Sequence, residues 1–288
     1  LFVVLLFFIS KIKYILYGMP KLTIIYRVCD CVDMLHTTQQ EGLHESNVNS
    51  SRFYDIPKPY LIKKCISSVK DAMNAANQLN EKDRIVMEFI CVYDRCSEDT
   101  IAFIKNLVPD AKMVCSKGSG NGASFATCVD IANSMVDDKT MVLFLEDDYS
   151  FLSQDGLIKA VNMLRTAKER IVKGNGWCGL FLDDYPDRYN EIGMRDNTSV
   201  MVTPFGHIMS IDSSTCSFMT YVGAIKENYS NLIKFKEYPS VLEGDSVDLM
   251  WKNVRLFCPV PAITLHCQLR SHIPQYLNAD NLKRIMES

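Results

Sequence analysis

A chain of 288 residues that is 48% apolar and 23% charged can bury one sizeable α/β core and is too polar for a polytopic membrane protein. Its 31 basic and 34 acidic residues leave a net charge of -3 with no long basic run, which excludes the electrostatic footprint of a nucleic-acid binder. The eleven cysteines are dispersed, and only Cys29 and Cys31 lie close together, so they read as reduced thiols of a cytoplasmic protein rather than a disulfide frame or zinc site.

Residues 1–9 are wholly apolar, but Lys11 and Lys13 interrupt the run before Tyr17. The preferred reading makes residues 1–18 an upstream leader, with translation starting at Met19. The alternative makes residues 1–17 a membrane anchor, in which case Asn49, Asn197 and Asn228 would be glycan acceptors. Next comes an apolar strand over residues 22–28, then a polar surface loop over 37–59. Residues 60–77 carry Leu61, Ile62, Cys65, Ile66, Val69 and Met73 at helical spacing. A strand at 85–92, a helix at 100–107, a strand at 112–115, a glycine cluster, a helix at 123–135 and a strand at 140–145 follow. Strict alternation of this kind predicts a single Rossmann-like, mostly parallel sheet flanked by helices, with ligands beyond the carboxyl ends of its strands. Beyond a helix at 156–172 and a strand at 177–182 the elements become short. Residues 19–155 and residues 156–288 are therefore read as two halves of the same domain.

Polar residues cluster where that sheet would place chemistry. Glu146, Asp147 and Asp148 end the fourth strand, and three adjacent carboxylates repel one another unless a cation lies nearby. Read alone, they are a solvated helix-capping turn. Asp94-Arg95-Cys96-Ser97-Glu98-Asp99 ends the second strand, and Gly118-Ser119-Gly120-Asn121-Gly122 opens a helix.

Taken in order with Arg27 to Asp30 at the end of the first strand, these segments resemble the nucleotide-sugar-dependent glycosyltransferases of the GT-A fold, especially the large inverting second family. The resemblance covers residues 22–151 well and the remainder in patches. It implies that Arg27, Asp94, Ser97, Gly120, Asn121, Glu146 and Asp147 contact the donor, a nucleotide diphosphate sugar with UDP favoured. It implies that Asp148, Glu146 and His266 hold Mn2+ or Mg2+, with His272 a rival to His266. It also implies that Asp245, or else Glu243, takes a proton from the hydroxyl of a glycan or other acceptor.

Three departures from the family pattern stand out. Glu146 replaces the first Asp of its Asp-x-Asp element, Arg95-Cys96 replaces acidic and Gly residues, and the order of acids around Gly244 differs. A sugar nucleotidyltransferase would need a Gly- and Arg-rich loop after the first strand, and a dehydrogenase would need Gly-x-Gly-x-x-Gly there; neither is present. A non-catalytic nucleotide- or glycan-binding module of the same fold is the remaining alternative.

Overall fold

A computed structural model of the chain describes residues 19–30, 57–81, 83–170, 176–183, 199–267 and 277. The expected leader, most of the 37–59 loop, Asn49, Asn197 and His272 lie outside the described residues. Among the described residues no helix is long and apolar enough to cross a membrane.

β1 (Lys21–Val28) buries every residue after the first, as expected of a central strand covered on both faces. α1 (Lys58–Asn77) begins two residues earlier than the apolar spacing predicts, because Pro57, Lys58 and Pro59 form its first turn, where proline costs no hydrogen bond. β2 (Val86–Tyr93), α2 (Glu98–Leu107), β3 (Lys112–Cys115), α3 (Asn121–Asn133) and β4 (Met141–Glu146) follow the expected alternation. Ser97 caps α2, its Oγ accepting the Thr100 N–H at 3.3 Å, and Glu98 and Asp99 favour the positive helix end.

The later elements are β5 (Tyr149–Phe151), α4 (Gly156–Arg170), β6 (Cys178–Leu180), β7 (Val200–Thr203), β8 (Gly206–Ile211) and β9 (Phe218–Tyr221). After them come α5 (Val222–Glu227), α6 (Tyr229–Leu232), 3-10 turns at Ile233–Glu237 and Glu243–Asp245, α7 (Val247–Trp251), β10 (Arg255–Val260) and β11 (Thr264–His266).

The chain has an α/β fold with a mixed, mostly parallel central sheet flanked by helices. Nine described strands run in the order β3-β2-β1-β4-β9-β6-β10-β8-β7, and β11 pairs with β5 in a separate ribbon. Parallel pairing joins β3, β2, β1 and β4, whereas β9, β8 and β7 run antiparallel to their neighbours. Strands from both halves of the chain thus share one sheet.

Side-chain alternation sorts the core into two layers. Leu22, Ile24, Tyr26 and Val28 of β1, with Met141, Leu143 and Leu145 of β4, pack on the side of α1 and α4. Ile25, Val142 and Phe144 point the other way, onto Phe125, Cys128 and Val129 of α3. The same parity decides which partners the polar residues meet at the strand ends.

Candidate active site

Parity continues past the apolar runs. Arg27 follows Ile25 onto the α3 side and stands in register with Glu146, which follows Phe144. Arg27 is buried: its Nη2 pairs with Glu146 Oε1, and its Nη1 donates to the Asn121 carbonyl at 2.8 Å, to Asn121 Oδ1 and to Ser124 Oγ at 3.3 Å. Burial works against its charge, but Glu146 together with Cys216, Cys128 and Asp147 holds its pKa above the ordinary arginine value. Glu146 accepts a second bond from Ser217 Oγ at 3.1 Å, and that hydroxyl in turn accepts the Glu146 N–H at 3.0 Å.

Asp94 at the end of β2 lies on the same side. It is buried, accepts the Gly120 N–H at 2.7 Å, and pairs with the Arg95 guanidinium at 3.0 Å. Both flanking backbones are left-handed, Arg95 with φ 49° and Gly120 with φ 96°. At Gly120 that conformation turns the chain into α3 and presents its N–H to Asp94. Exposed Ser97 donates its N–H and Oγ to Asp30, whose carboxyl is held below its ordinary range by those bonds despite partial burial.

Asp147 takes the opposite parity and faces α1. Its Oδ1 pairs with Lys58 Nζ at 2.7 Å and its Oδ2 accepts the Cys29 N–H at 2.8 Å. Burial pushes its pKa up, with the Asp148 charge adding to this and Lys58 opposing it. Burial also disfavours the Lys58 charge, but Asp147 and Asp148 outweigh it and raise the lysine above its usual range.

Asp148 turns toward the small ribbon. Its Oδ2 lies 3.3 Å from His266 Nε2, while its Oδ1 is buried without a hydrogen-bond partner. Antiparallel pairing sets His266 opposite Tyr149, and the two rings stack 4.4 Å apart between centroids. The His266 N–H donates to fully buried Asp183 at 3.2 Å, and the Cys267 N–H donates to the Asp148 carbonyl at 2.7 Å. Burial lowers the imidazole pKa, but Asp148 outweighs it and pushes it up to about 9; the same contact holds Asp148 well below the carboxylate range.

The 3-10 turn Glu243–Asp245 lies beside this edge. Glu243 Oε1 accepts the Cys216 N–H at 3.1 Å, and burial together with the Glu146 charge pushes its carboxyl up to about 6. Asp245 is exposed, and its N–H closes the turn onto the Leu242 carbonyl at 3.0 Å.

The structure therefore gathers Arg27, Asn121, Glu146 and Ser124 into one network, Asp94 and Gly120 into a second, and Asp148 with His266 into a third. Ser97 belongs to the α2 cap. Lys58 and Ser217 escaped the sequence reading: Lys58 fell inside the polar stretch read as loop, although its flanking prolines signal a helix start. Ser217 carries no local signal.

A divalent cation can be tested against these groups. Among the described residues no three His, Cys, Asp or Glu side chains converge as a ready-made shell. The unpartnered Asp148 Oδ1 is nevertheless an oxygen donor suited to Mn2+ or Mg2+, and His266, whose Nε2 faces the other Asp148 oxygen, would have to give up its proton to join it; such ions commonly take one or two protein ligands and complete their shells with substrate phosphates and water. Glu146 has both oxygens committed to Arg27 and Ser217.

No protein-family model matches the chain, and no curated protein does. Among solved structures it is similar to residues 1–349 of S. aureus TarS, at 11% identity and a TM-score of 0.46 over 85% of this chain and 59% of that one. It is similar to the galactosyltransferase LgtC in complex with donor and acceptor sugar analogues, at 12% identity and a TM-score of 0.39 over 82% and 72% of the two chains. It is also similar to 4-diphosphocytidyl-2C-methyl-D-erythritol synthase from Anaerococcus prevotii, at 12% identity and a TM-score of 0.41 over 94% and 96%. The solved neighbours thus include a galactosyltransferase and a diphosphocytidyl-methylerythritol synthase. The chain spans about three fifths of the TarS fragment. At these scores the likeness carries no argument about chemistry, which rests on the site itself.

Proposed function

We propose that the chain is a glycosyltransferase that moves a sugar from a nucleotide diphosphate donor, UDP-sugar favoured, to a hydroxyl of a glycan or similar acceptor, with inversion. The observation that carries this reading is the buried, unpartnered Oδ1 of Asp148, whose other oxygen pairs with His266, at the carboxyl edge of the sheet. Asp148 and His266 would hold Mn2+ or Mg2+, which when bound would offset the negative charge building on the leaving diphosphate.

The chain's own residues supply the rest. Asp94, braced by Gly120, presents a carboxylate to the nucleobase, and the Arg27–Glu146–Asn121 network fixes the start of α3 against β1 and β4. An acceptor hydroxyl ionises far above neutral pH, so a carboxylate must take its proton as it attacks. The sequence reading preferred Asp245 for that task. A carboxyl raised to about 6, near operating pH, gives Glu243 the better case. In this proposal residues 19–155 bind the donor, residues 156–288 the acceptor, and the enzyme works in the cytoplasm.

Incubation with a panel of nucleotide sugars, with and without Mn2+, tests the reading: release of nucleotide diphosphate that depends on the ion and rises with acceptor supports it. The internal pairing of Glu146 and Asp147 favours a second reading, a nucleotide- or glycan-binding module without turnover. Nucleotide binding with no product from any donor would select it.

A further inference from the structure

Lys58 stands where helix physics least favours it. It is the first residue of a 20-residue helix, the first turn of α1 holds no acidic residue, and no side chain caps it. A lysine there adds positive charge to the positive end of the helix dipole. A local rule broken in this way marks a place to look for function.

The Nζ group reaches the carboxylate cluster, 2.7 Å from Asp147 Oδ1, while the other Asp147 oxygen is already satisfied by the Cys29 N–H. One contact leaves two of the three ammonium hydrogens to spare, and the Lys58 side chain is 22% exposed. Two further polar atoms on this side have no partner: the buried Oδ1 of Asp148 and the hydroxyl of fully buried Tyr26. Unspent bonding capacity on the α1 side thus includes that of Lys58.

Charge counting gives the lysine a task. Glu146, Asp147 and Asp148 carry three negative charges; Arg27 and Lys58 return two, and the charge of His266 is given up when its nitrogen takes a cation. A divalent cation at Asp148 makes the cluster net positive by one, which attracts a diphosphate; without Lys58 the loaded cluster would be neutral. Resting on the glycosyl-transfer reading above, we propose that Lys58 is the chain's own binding cation for the donor diphosphate, its ammonium bridging from Asp147 to the phosphate oxygens. Asp147 then holds the lysine through a hydrogen bond that an asparagine oxygen could equally accept, rather than touching the donor.

Calorimetric titration of UDP, GDP, their monophosphates and the free nucleosides in the presence of Mg2+ tests this on wild type, Lys58→Gln, Lys58→Arg and Asp147→Asn. The expected result is a diphosphate affinity at least about tenfold lower in Lys58→Gln, as for loss of a charge-assisted bond. Nucleoside affinity should be unchanged, Lys58→Arg should recover most of the loss, and Asp147→Asn should keep at least wild-type diphosphate affinity. Equal losses in Lys58→Gln and Asp147→Asn, or a loss extending equally to nucleosides, would overturn the inference and leave Lys58 as a structural partner of Asp147. Should Lys58→Gln not fold, a diphosphate affinity in Asp147→Asn below wild type is overturning by itself. Wild type binding neither UDP nor GDP sinks the glycosyl-transfer reading and this inference together, whereas tight binding that Lys58→Gln retains sinks only the inference.

Discussion

The two sides of the sheet's carboxyl edge treat similar residues in opposite ways. On the α3 side Arg27 pairs with Glu146 and the start of α3, and Glu146 has both carboxylate oxygens bonded, to Arg27 and Ser217. On the α1 side Asp148 keeps an oxygen without a partner, Tyr26 a hydroxyl, and Lys58 two ammonium hydrogens. A carboxylate at a strand end is thus a poor guide to function by itself. The decisive property is whether its bonds are already made, since unmade buried bonds are costly in the folded protein and are retained where a ligand makes them.

If the comparison holds, substitutions on the α1 side should cost activity and those on the α3 side stability. The largest expected effect is Asp148→Asn, which should reduce sugar transfer by about a thousandfold, as for loss of a preorganised charge partner to the developing anion. Steady-state turnover with the best donor checks this. Arg27→Met should do the converse. It strands Glu146 without its cation, a loss of about 3–5 kcal/mol readable from urea unfolding. Recovery of stability in the double variant Arg27→Met with Glu146→Leu would sharpen the point, and a stable single variant would break it.

Glu243 sits at the border between the two sides. As the base it should show in turnover: Glu243→Gln should lower kcat by about a hundredfold while nucleotide affinity survives, and exposed Asp245→Asn should be mild. Because the base acts deprotonated, the wild-type rate should rise with pH through about 6 and then level off, and the residual rate of Glu243→Gln should lack that limb. The reverse ranking returns the base to Asp245. Smaller still is Asp94→Ala, for which titration should show nucleotide affinity weakened about tenfold, the usual weight of a bond to a charged group.

How much of this was legible follows the same divide. The parallel part was readable because its strands are continuous apolar runs and its helices are long and amphipathic; β3 occupies the residues expected, and α1 differs only by its proline-flanked first turn. The antiparallel part was not, because β7, β8, β9 and β10 span four to six residues each, too short for a period of two to stand out. β9 is also buried at every position between β4 and β6, so it shows no alternation at all. Within the site, the polar residues of the parallel strands lie at the strand ends where the alternation of elements put them. The meeting of Asp148 with His266 was expected only through the family resemblance, because the ribbon that makes it joins residues far apart in sequence and no local pattern encodes it.

The smallest expected effect concerns stability, and it asks whether Glu243 is a carboxylate without a cation of its own. Among the described residues it has no ion-pair partner; the nearby guanidinium of Arg27 is engaged by Glu146, whose charge helps to raise Glu243 from an ordinary 4.5 to about 6. In the unfolded chain the carboxyl releases its proton near 4.5, whereas in the folded protein it holds it until about 6. Between those values the folded state binds more protons, so rising pH favours unfolding and this group's contribution to stability declines across that window. Asp30, whose folded-state value is lowered, works in the opposite direction at lower pH, so the wild-type curve alone is ambiguous. The difference between Glu243→Gln and wild type removes that background. It should grow in favour of the variant by on the order of 1 kcal/mol between pH 4.5 and 6 and stay flat above, measured by urea unfolding at half-unit steps. A flat difference across the whole range would mean that Glu243 titrates as an ordinary surface carboxylate, and its case as the base would fall with it.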